Sequence, residues 1–365
     1  MKNRWKIMWD SFRLPIFAVV LGFFIGGVCI VIAGSNPIIA YAALFRGSLG
    51  SLTSFGETMY KMTPIVFTGL SVAVAFRCGL FNIGAEGQYI VGSIMSIVVG
   101  WVFRDFPGII LIPMILLTGI LAGACWGGLS GFLKARFGVH EVITTIMLNY
   151  IALHLSNYLV RTALNPQNLI PGSAREAFTV AIPEQAKLIK LNEIIPQFGY
   201  SSAHAGILIA IAAALLMYYL LFKTTVGYEI RSVGFSPDAA EYGGISKKKN
   251  TVLAMGIAGG LAGLSGAVQV TGLIYMVNQV PMMPGYGFTG ISVALVGVNH
   301  PLGVLASGLL FGILDNGARQ MQLAGIPKEI TGIIQAVILL FIAGELIVKF
   351  ISDRRKRELK AKEAE

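Results

Sequence analysis

The side chains best placed to do chemistry are polar groups caught between apolar runs. Phe76-Arg77-Cys78-Gly79-Leu80-Phe81-Asn82-Ile83-Gly84-Ala85-Glu86-Gly87-Gln88 sets a guanidinium, two amides and a carboxylate among glycines, between the apolar runs 65–75 and 89–102. The first run is 11 residues, short of the ~20 a helix needs to cross a bilayer. Polar groups survive at membrane depth only where protein buries them or a wet cavity meets them. Alone, the stretch reads first as a tight turn at the membrane surface; the other reading is a broken-helix hairpin on a solute path. Amides such as Asn82 and Gln88 hydrogen-bond a neutral solute without the cost of a buried ion. Glu86, at the start of a span, also suits a structural role, because a helix N-terminus stabilises an anion. Arg77 is placed to pair with it across the turn.

The pattern recurs. A second 11-residue run, 288–298, is stopped by Asn299-His300-Pro301 and followed by another apolar segment. Interrupted short segments in both halves of a chain point to a midplane substrate site in transporters. The pairing brings the path reading level with the surface-turn reading. Asn82, Glu86, Gln88, Asn299 and His300, with Asn149 near the middle of an apolar run, are the path candidates.

Other chemistries find no support. No glycine loop ending in Gly-Lys-Ser/Thr is present, so the chain does not bind ATP in the P-loop manner. His140, His154, His204 and His300 are scattered, and His140-Glu141 is not followed by a second zinc-spaced histidine. Cys29, Cys78 and Cys125 each lie in or beside an apolar segment, which suggests free thiols. No Ser/His/Asp set stands out, so an intramembrane hydrolase is disfavoured.

The elements that carry these residues are membrane helices. The chain is 13% charged, about half the usual share for soluble domains. The net charge of +10 is explained by bases in membrane-flanking loops rather than by nucleic acid, for which no motif is found. A basic head, 1–14, precedes an uncleaved first span at 15–33. A mixed polar loop with room for a short surface helix follows at 34–63, and Pro64 opens the second span. Further spans fall at 89–102, 109–133, 142–160, 203–222, 251–273, 288–298, 302–314 and 330–350, making about ten, in an all-α integral membrane fold with short or broken helices in both halves. Gly119, Gly123, Gly127 and Gly131, and the pairs Gly256/Gly260 and Gly259/Gly263, offer smooth strips for close helix packing. With both termini inside, the segments 1–15, 77–82, 133–141, 223–250 and 349–365 hold 19 of the 28 bases, which makes the N- and C-termini cytoplasmic. The loop 161–202 is then extracytoplasmic, and 351–365 is a charged cytoplasmic tail with the character of a frayed helix. One transmembrane domain, 1–365, is the simplest division.

The loop 223–250 is the other unusual element. Ser236 is suited to cap a helix with Pro237 at its first position, Asp238 near its positive end, and Gly243 or Gly244 as its stop. Such a helix is about two turns long and needs a partner surface to be stable. Lipid headgroups, with Lys247–Lys249 as anchors, are one such surface. The small face of Ala239, Ala240 and Gly243 suits protein better.

Here a resemblance enters. Gly227, Arg231, Val233, Gly234, Ala239, Ala240, Gly244 and Ile245 match the spacing of the cytoplasmic loop in ATP-binding-cassette (ABC) permeases that import ribose, other simple sugars and branched-chain amino acids. Phe81-Asn82-Ile83-Gly84-Ala85-Glu86-Gly87-Gln88 and Thr144-Thr145-Ile146-Met147-Leu148-Asn149-Tyr150 resemble the nucleoside-importing subgroup. The resemblance runs from about residue 64 to 350. It implies a non-enzymatic permease subunit in a bacterial cytoplasmic membrane, paired with a second permease, an ABC ATPase and an extracytoplasmic substrate-binding lipoprotein. It implies no cofactor in this chain, ATP and magnesium belonging to the ATPase. It also gives Gly227, Arg231, Gly234, Ser236, Ala239, Ala240, Glu241 and Gly244 to the ATPase-coupling loop. The expected cargo is a nucleoside; the alternatives are ribose or another simple sugar, and beyond the family an ion-coupled secondary transporter or a non-transporting scaffold. Mid-span carboxylates, which ion coupling needs, are scarce: Asp315 and Glu345 lie near span ends.

Overall fold

The computed structural model describes residues 2–342 and Gly344, and all named elements among them are helical. The path and coupling candidates all fall within this range; the proposed tail 351–365 lies outside it. Eight described helices are long and apolar enough to cross a membrane, and three shorter apolar helices, Pro37–Leu49, Tyr286–Val296 and Glu329–Ile342, accompany them. The chain packs as two compact units, Met1–Gly47 with Leu314–Glu365, and Ser48–Ile313.

In the first unit α1 (Lys2–Ile32) makes the basic head continuous with the first span. It is followed by α2 (Pro37–Leu49). Gly22 and Gly26 of α1 present bare backbone to Ile338 and Ile334, and these isoleucines are buried together with Ile330.

The second unit is organised on α3 (Leu52–Arg77), α4 (Ala85–Val102), α5 (Gly108–Phe137), α6 (Glu141–Arg161), α9 (Gly206–Lys223) and α12 (Lys247–Gln269). Between α6 and α9 lie α7 (Pro166–Leu169) and α8 (Leu191–Ile194); between α9 and α12 lie α10 (Thr225–Phe235) and α11 (Pro237–Tyr242). α13 (Tyr286–Val296) and the first part of α14 (Pro301–Leu323) complete this unit, whose last residue is Ile313. The expected glycine strips meet here. A Cβ on Gly123 would lie 2.2 Å from the Gly259 carbonyl oxygen, and one on Gly263 2.1 Å from that of Gly119. Backbone therefore packs directly on backbone along the α5–α12 seam, the arrangement small residues permit in lipid. Gly256 and Gly260 meet looser surroundings, their nearest neighbours at 3.8 and 3.3 Å.

One expectation is corrected. Residues 34–63 are not a polar loop, and Pro64 does not open the second span. Ser51 caps α3 by accepting from the Ser54 N–H at 3.0 Å, and the helix runs through Pro64 to Arg77 as 26 residues. The helix accommodates its polar first half because the hydroxyls find acceptors on the preceding turn, Thr58 on the Ser54 carbonyl at 3.2 Å and Thr63 on that of Met59 at 2.7 Å. The 11-residue apolar run is thus the second half of a full-length helix.

The loop after α6 folds back as a strap. Thr179 N–H donates to the Val277 carbonyl at 3.0 Å, Ile182 N–H to that of Tyr275 at 2.9 Å, and Gln279 N–H to that of Ala177 at 2.8 Å. These bonds pin the irregular segment between the end of α12 and α13.

Candidate solute-binding site

The turn Cys78–Gly84 does not leave α3; it runs back beside it. Gly79 takes φ +75°, which reverses the chain, and Asn82 Nδ2 then donates to Ser71 Oγ at 3.1 Å. Ser71 stands six residues before Arg77, so Asn82 and the start of α4 sit about 9 Å back along the helix. Asn82 and Gln88 exchange two amide hydrogen bonds at 2.9 and 3.1 Å, and Asn82 Oδ1 also accepts from Gly84 N–H at 3.0 Å. Asn149 joins from α6, accepting from Gly87 N–H at 2.8 Å and donating to the Ile83 carbonyl at 3.0 Å. All three amides are buried. Together they build the turn by closing one another's hydrogen bonds.

Glu86, also buried, points to α13. Its carboxylate accepts from Gly285 N–H at 2.6 Å and from Gly287 N–H. An 11-residue helix is about half a span, and its N-terminal end carries positive partial charge. That end lies beside the middle of α3, where Thr68 Oγ1 donates to the Tyr286 carbonyl at 2.8 Å. In transporters, half-helix N-termini of this kind receive anionic substrate groups. Here the chain's own carboxylate occupies it. The expected Arg77–Glu86 pair is not formed, because Glu86 is already engaged by α13. Arg77 donates instead to the carbonyls of Asn299 at 2.8 Å and Val298 at 3.3 Å.

The second break is the turn between α13 and α14. Val298 and Asn299 take φ 56° and 50° there, conformations that cost a β-branched residue in particular. His300 stacks on Phe222 of α9, ring centroids 5.2 Å apart, while Arg77 and Arg231 lie 5.4 and 5.2 Å from the same ring. One phenyl ring therefore gathers a path candidate and a coupling candidate. Arg231 also donates to the Leu221 carbonyl at 2.9 Å.

The rest of the coupling loop divides by exposure. Ser236 caps α11 as its sequence requires, Pro237 stands at its first turn, and Gly243 ends it before Gly244 at φ +81°. Gly234 presses on the Arg77 carbonyl and Gly227 on that of Leu220, each without room for a Cβ. Ala239, Glu241 and Gly243 are exposed, but Ala240 is buried against its own chain. The contiguous small-residue face is thereby split; the large exposed groups beside it are Phe235 and Tyr242.

None of the six path candidates lines the cavity that opens beside the α13 N-terminus. This cavity holds about 220 Å³, and its wall includes Tyr60 (α3), Tyr89 and Ser93 (α4), Ser156 (α6), Gln269 (α12) and Tyr286 (α13). The pinned segment adds Asn278 and Val280. Tyr89 and Tyr286 tilt against each other at 5.3 Å. Gln269 Nε2 donates to the Tyr60 hydroxyl at 2.9 Å, and that hydroxyl also bonds Tyr286. Among the described residues, no Asp, Glu, Lys, Arg or His is in the wall. Aromatic faces, hydroxyls and amides without a formal charge suit a flat, neutral, hydrogen-bonding solute. Gln269 could have been found from sequence: it is a lone amide in an apolar, glycine-rich span, the same signal that singles out Asn149.

Comparison with known proteins gives the family. Residues 54–343 match the family described as "Branched-chain amino acid transport system / permease component". The guanosine ABC transporter permease protein NupP of Bacillus subtilis is 39% identical over 94% of this chain and 97% of its own length. The nucleoside ABC transporter permease protein NupB of Lactococcus lactis is 40% identical over 96% and 95%. The glucose ABC transporter permease protein TsgB13 of Haloferax volcanii is 33% identical over 92% and 87%. With a match across most of its length, and with helices long enough to cross a membrane several times, the chain is a multi-pass membrane protein that belongs to the permease-component family of branched-chain amino acid transport systems.

Proposed function

We propose that this chain is a permease subunit of an ATP-driven ABC importer for nucleosides, and that the tyrosine-lined cavity is its station on the solute path. The observation that carries the cargo reading is the cavity wall itself: three tyrosines, two amides and no ionised side chain, beside a helix N-terminus already neutralised by Glu86. A phosphate or carboxylate finds no counter-charge there, whereas a base finds aromatic faces and a ribose finds hydrogen-bonding groups. The names of NupP and NupB agree with this reading. TsgB13 favours a simple sugar as the second reading; its identity to this chain, 33%, is below the 39% and 40% of the two nucleoside permeases.

The remaining parts of the machine follow from the family and, for orientation, from the side on which the bases gather. The termini and 223–250 face the cytoplasm of a bacterial cell, 161–202 faces outward, and the chain works as one permease domain. α11 and the groove of about 530 Å³ between it and α10 dock an ABC ATPase, which binds the ATP and magnesium. A substrate-binding lipoprotein delivers the solute to the outer face. A second permease covers the outer face of α6, where Tyr150, His154 and Tyr158 are exposed. His154 stands midway along that span, and an ionisable group there is costly against lipid.

The test is uptake of labelled guanosine by cells with and without the gene. Loss of uptake on deletion is expected. Unchanged guanosine uptake with lost ribose uptake would transfer the assignment to sugars.

A further inference from the structure

We infer that Gln269 is the side chain that selects the cargo, by hydrogen-bonding the polar edge of its base. The inference rests on the nucleoside reading and adds to it a residue and a chemical group.

Gln269 is buried, and its Oε1 has no hydrogen-bond partner. Among the described residues, it is the orphaned buried polar atom that belongs to the cavity wall. Its other amide atom, Nε2, is held by Tyr60 at 2.9 Å. The Tyr60 hydroxyl can donate or accept, so turning the amide over leaves one polar atom unpaired just as before. A buried amide half satisfied in this way carries the desolvation cost of the free atom. That cost is recovered when a solute supplies the missing partner.

The backbone at this position is unusual as well. Gln269 ends α12 and is followed at once by a π-helical turn, Val270–Ile274. Single π-helical turns are rare and are frequently found at functional sites; here the turn closes the helix. Tyr275, at the end of the turn, takes φ 52°. The turn carries the chain from the buried seam into the pinned segment that forms another part of the cavity wall. Gln269 is thus fixed at the end of a helix, on the wall of a cavity that Tyr89 and Tyr286 also line, and their ring faces suit a planar base.

A site with an unpaired buried amide discriminates between solutes that satisfy it and solutes that cannot. Guanosine presents amino, imino and carbonyl groups on its base; purine riboside has the same ring and sugar without exocyclic groups. The test is ATP-driven uptake of each by the complete importer in proteoliposomes at saturating binding protein. Gln269→Leu is expected to lower guanosine uptake about tenfold or more and to leave purine riboside uptake within about twofold. Tyr60→Phe, which releases the amide from its anchor, is expected to reduce the preference in the same direction. Equal change for both solutes, or none, in a Gln269→Leu complex that assembles and retains ATPase activity stimulated by the binding protein overturns the assignment of Gln269 alone. A wild-type importer that carries neither nucleoside overturns the functional reading, and the inference with it. If Gln269→Leu does not assemble, Gln269→Met, which keeps the length of the side chain and removes its amide, decides: an unchanged ratio of the two uptakes overturns the proposal, and a fall in the ratio supports it.

Discussion

The Arg77 guanidinium donates to the Asn299 carbonyl at 2.8 Å, joining two polar breaks 222 positions apart in the chain. The same side chain lies against Phe222, on whose ring Arg231 and His300 also rest. Arg77→Lys keeps the charge but loses the planar fork that reaches both carbonyls. It is expected to destabilise the protein by about 1–3 kcal/mol, read as a lower thermal midpoint in detergent. A midpoint equal to wild type would show that the tie between the breaks is not needed.

Phe222→Leu retains apolar volume and removes the ring from both cations. Each cation–ring contact is worth about 0.5–2 kcal/mol, so a double-mutant cycle of Phe222→Leu with Arg231→Gln should give a coupling energy in that range. Strict additivity would rule out the contact as an energetic one.

Gly259→Ala and Gly256→Ala differ by one methyl group each, on the same helix. At Gly259 the new carbon meets the Gly123 carbonyl oxygen at 2.2 Å; at Gly256 the nearest atom is at 3.8 Å. Overpacking of a tight seam costs about 1–3 kcal/mol or more. Gly259→Ala should therefore reduce folded yield while Gly256→Ala matches wild type, as size-exclusion profiles would show. Gly128→Ala, facing open space, serves as a second neutral control.

Glu86→Gln preserves shape and removes the charge at the α13 N-terminus. Charged hydrogen bonds contribute about 1.5–3 kcal/mol, and a neutral amide oxygen can accept one of the two N–H groups. Increased hydrogen exchange at residues 285–290 is expected, with exchange along the α5–α12 seam unchanged. Uniform protection in the variant would count against the capping role.

His204 is held between the bare backbones of Gly206 and Gly272, beside the Tyr60 ring. Burial lowers its pKa from 6.5 to about 4, so the unfolded loop binds its proton at a higher pH than the folded one. The stabilisation from neutral His204 is full above pH 6.5 and is lost as pH falls from 6.5 toward 4. Acidification across that window should raise the exchange rate of residues 188–206, corrected for intrinsic chemistry. His204→Phe should flatten the response, and a response that persists in that variant assigns it to another group.

What could be read from the sequence was what neighbouring residues decide among themselves. The Ser236 cap, Pro237 and the Gly243–Gly244 stop define α11 locally, and four-residue glycine spacing defines the α5–α12 seam without knowledge of the partner helix. The extent of α3 was hidden because its polar first turns look like loop until the hydroxyl bonds of Thr58 and Thr63 to the previous turn are seen. Asn82, Glu86 and Gln88 stand out in the sequence as polar intruders, and in the fold their side chains are engaged with one another, with Ser71 and with the end of α13. Tyr60, Tyr89, Gln269 and Tyr286 come from four separate helices and meet only through tertiary packing. Their adjacency has no counterpart in spacing along the chain.

The carboxylate that closes the end of α13 has a consequence for the charge of the cargo. A helix end that already holds its own counter-ion has no unmet positive charge to offer a phosphoryl group. On the proposed path, a nucleoside monophosphate would therefore gain nothing at α13 to offset the loss of its hydration, and the site would favour the uncharged form.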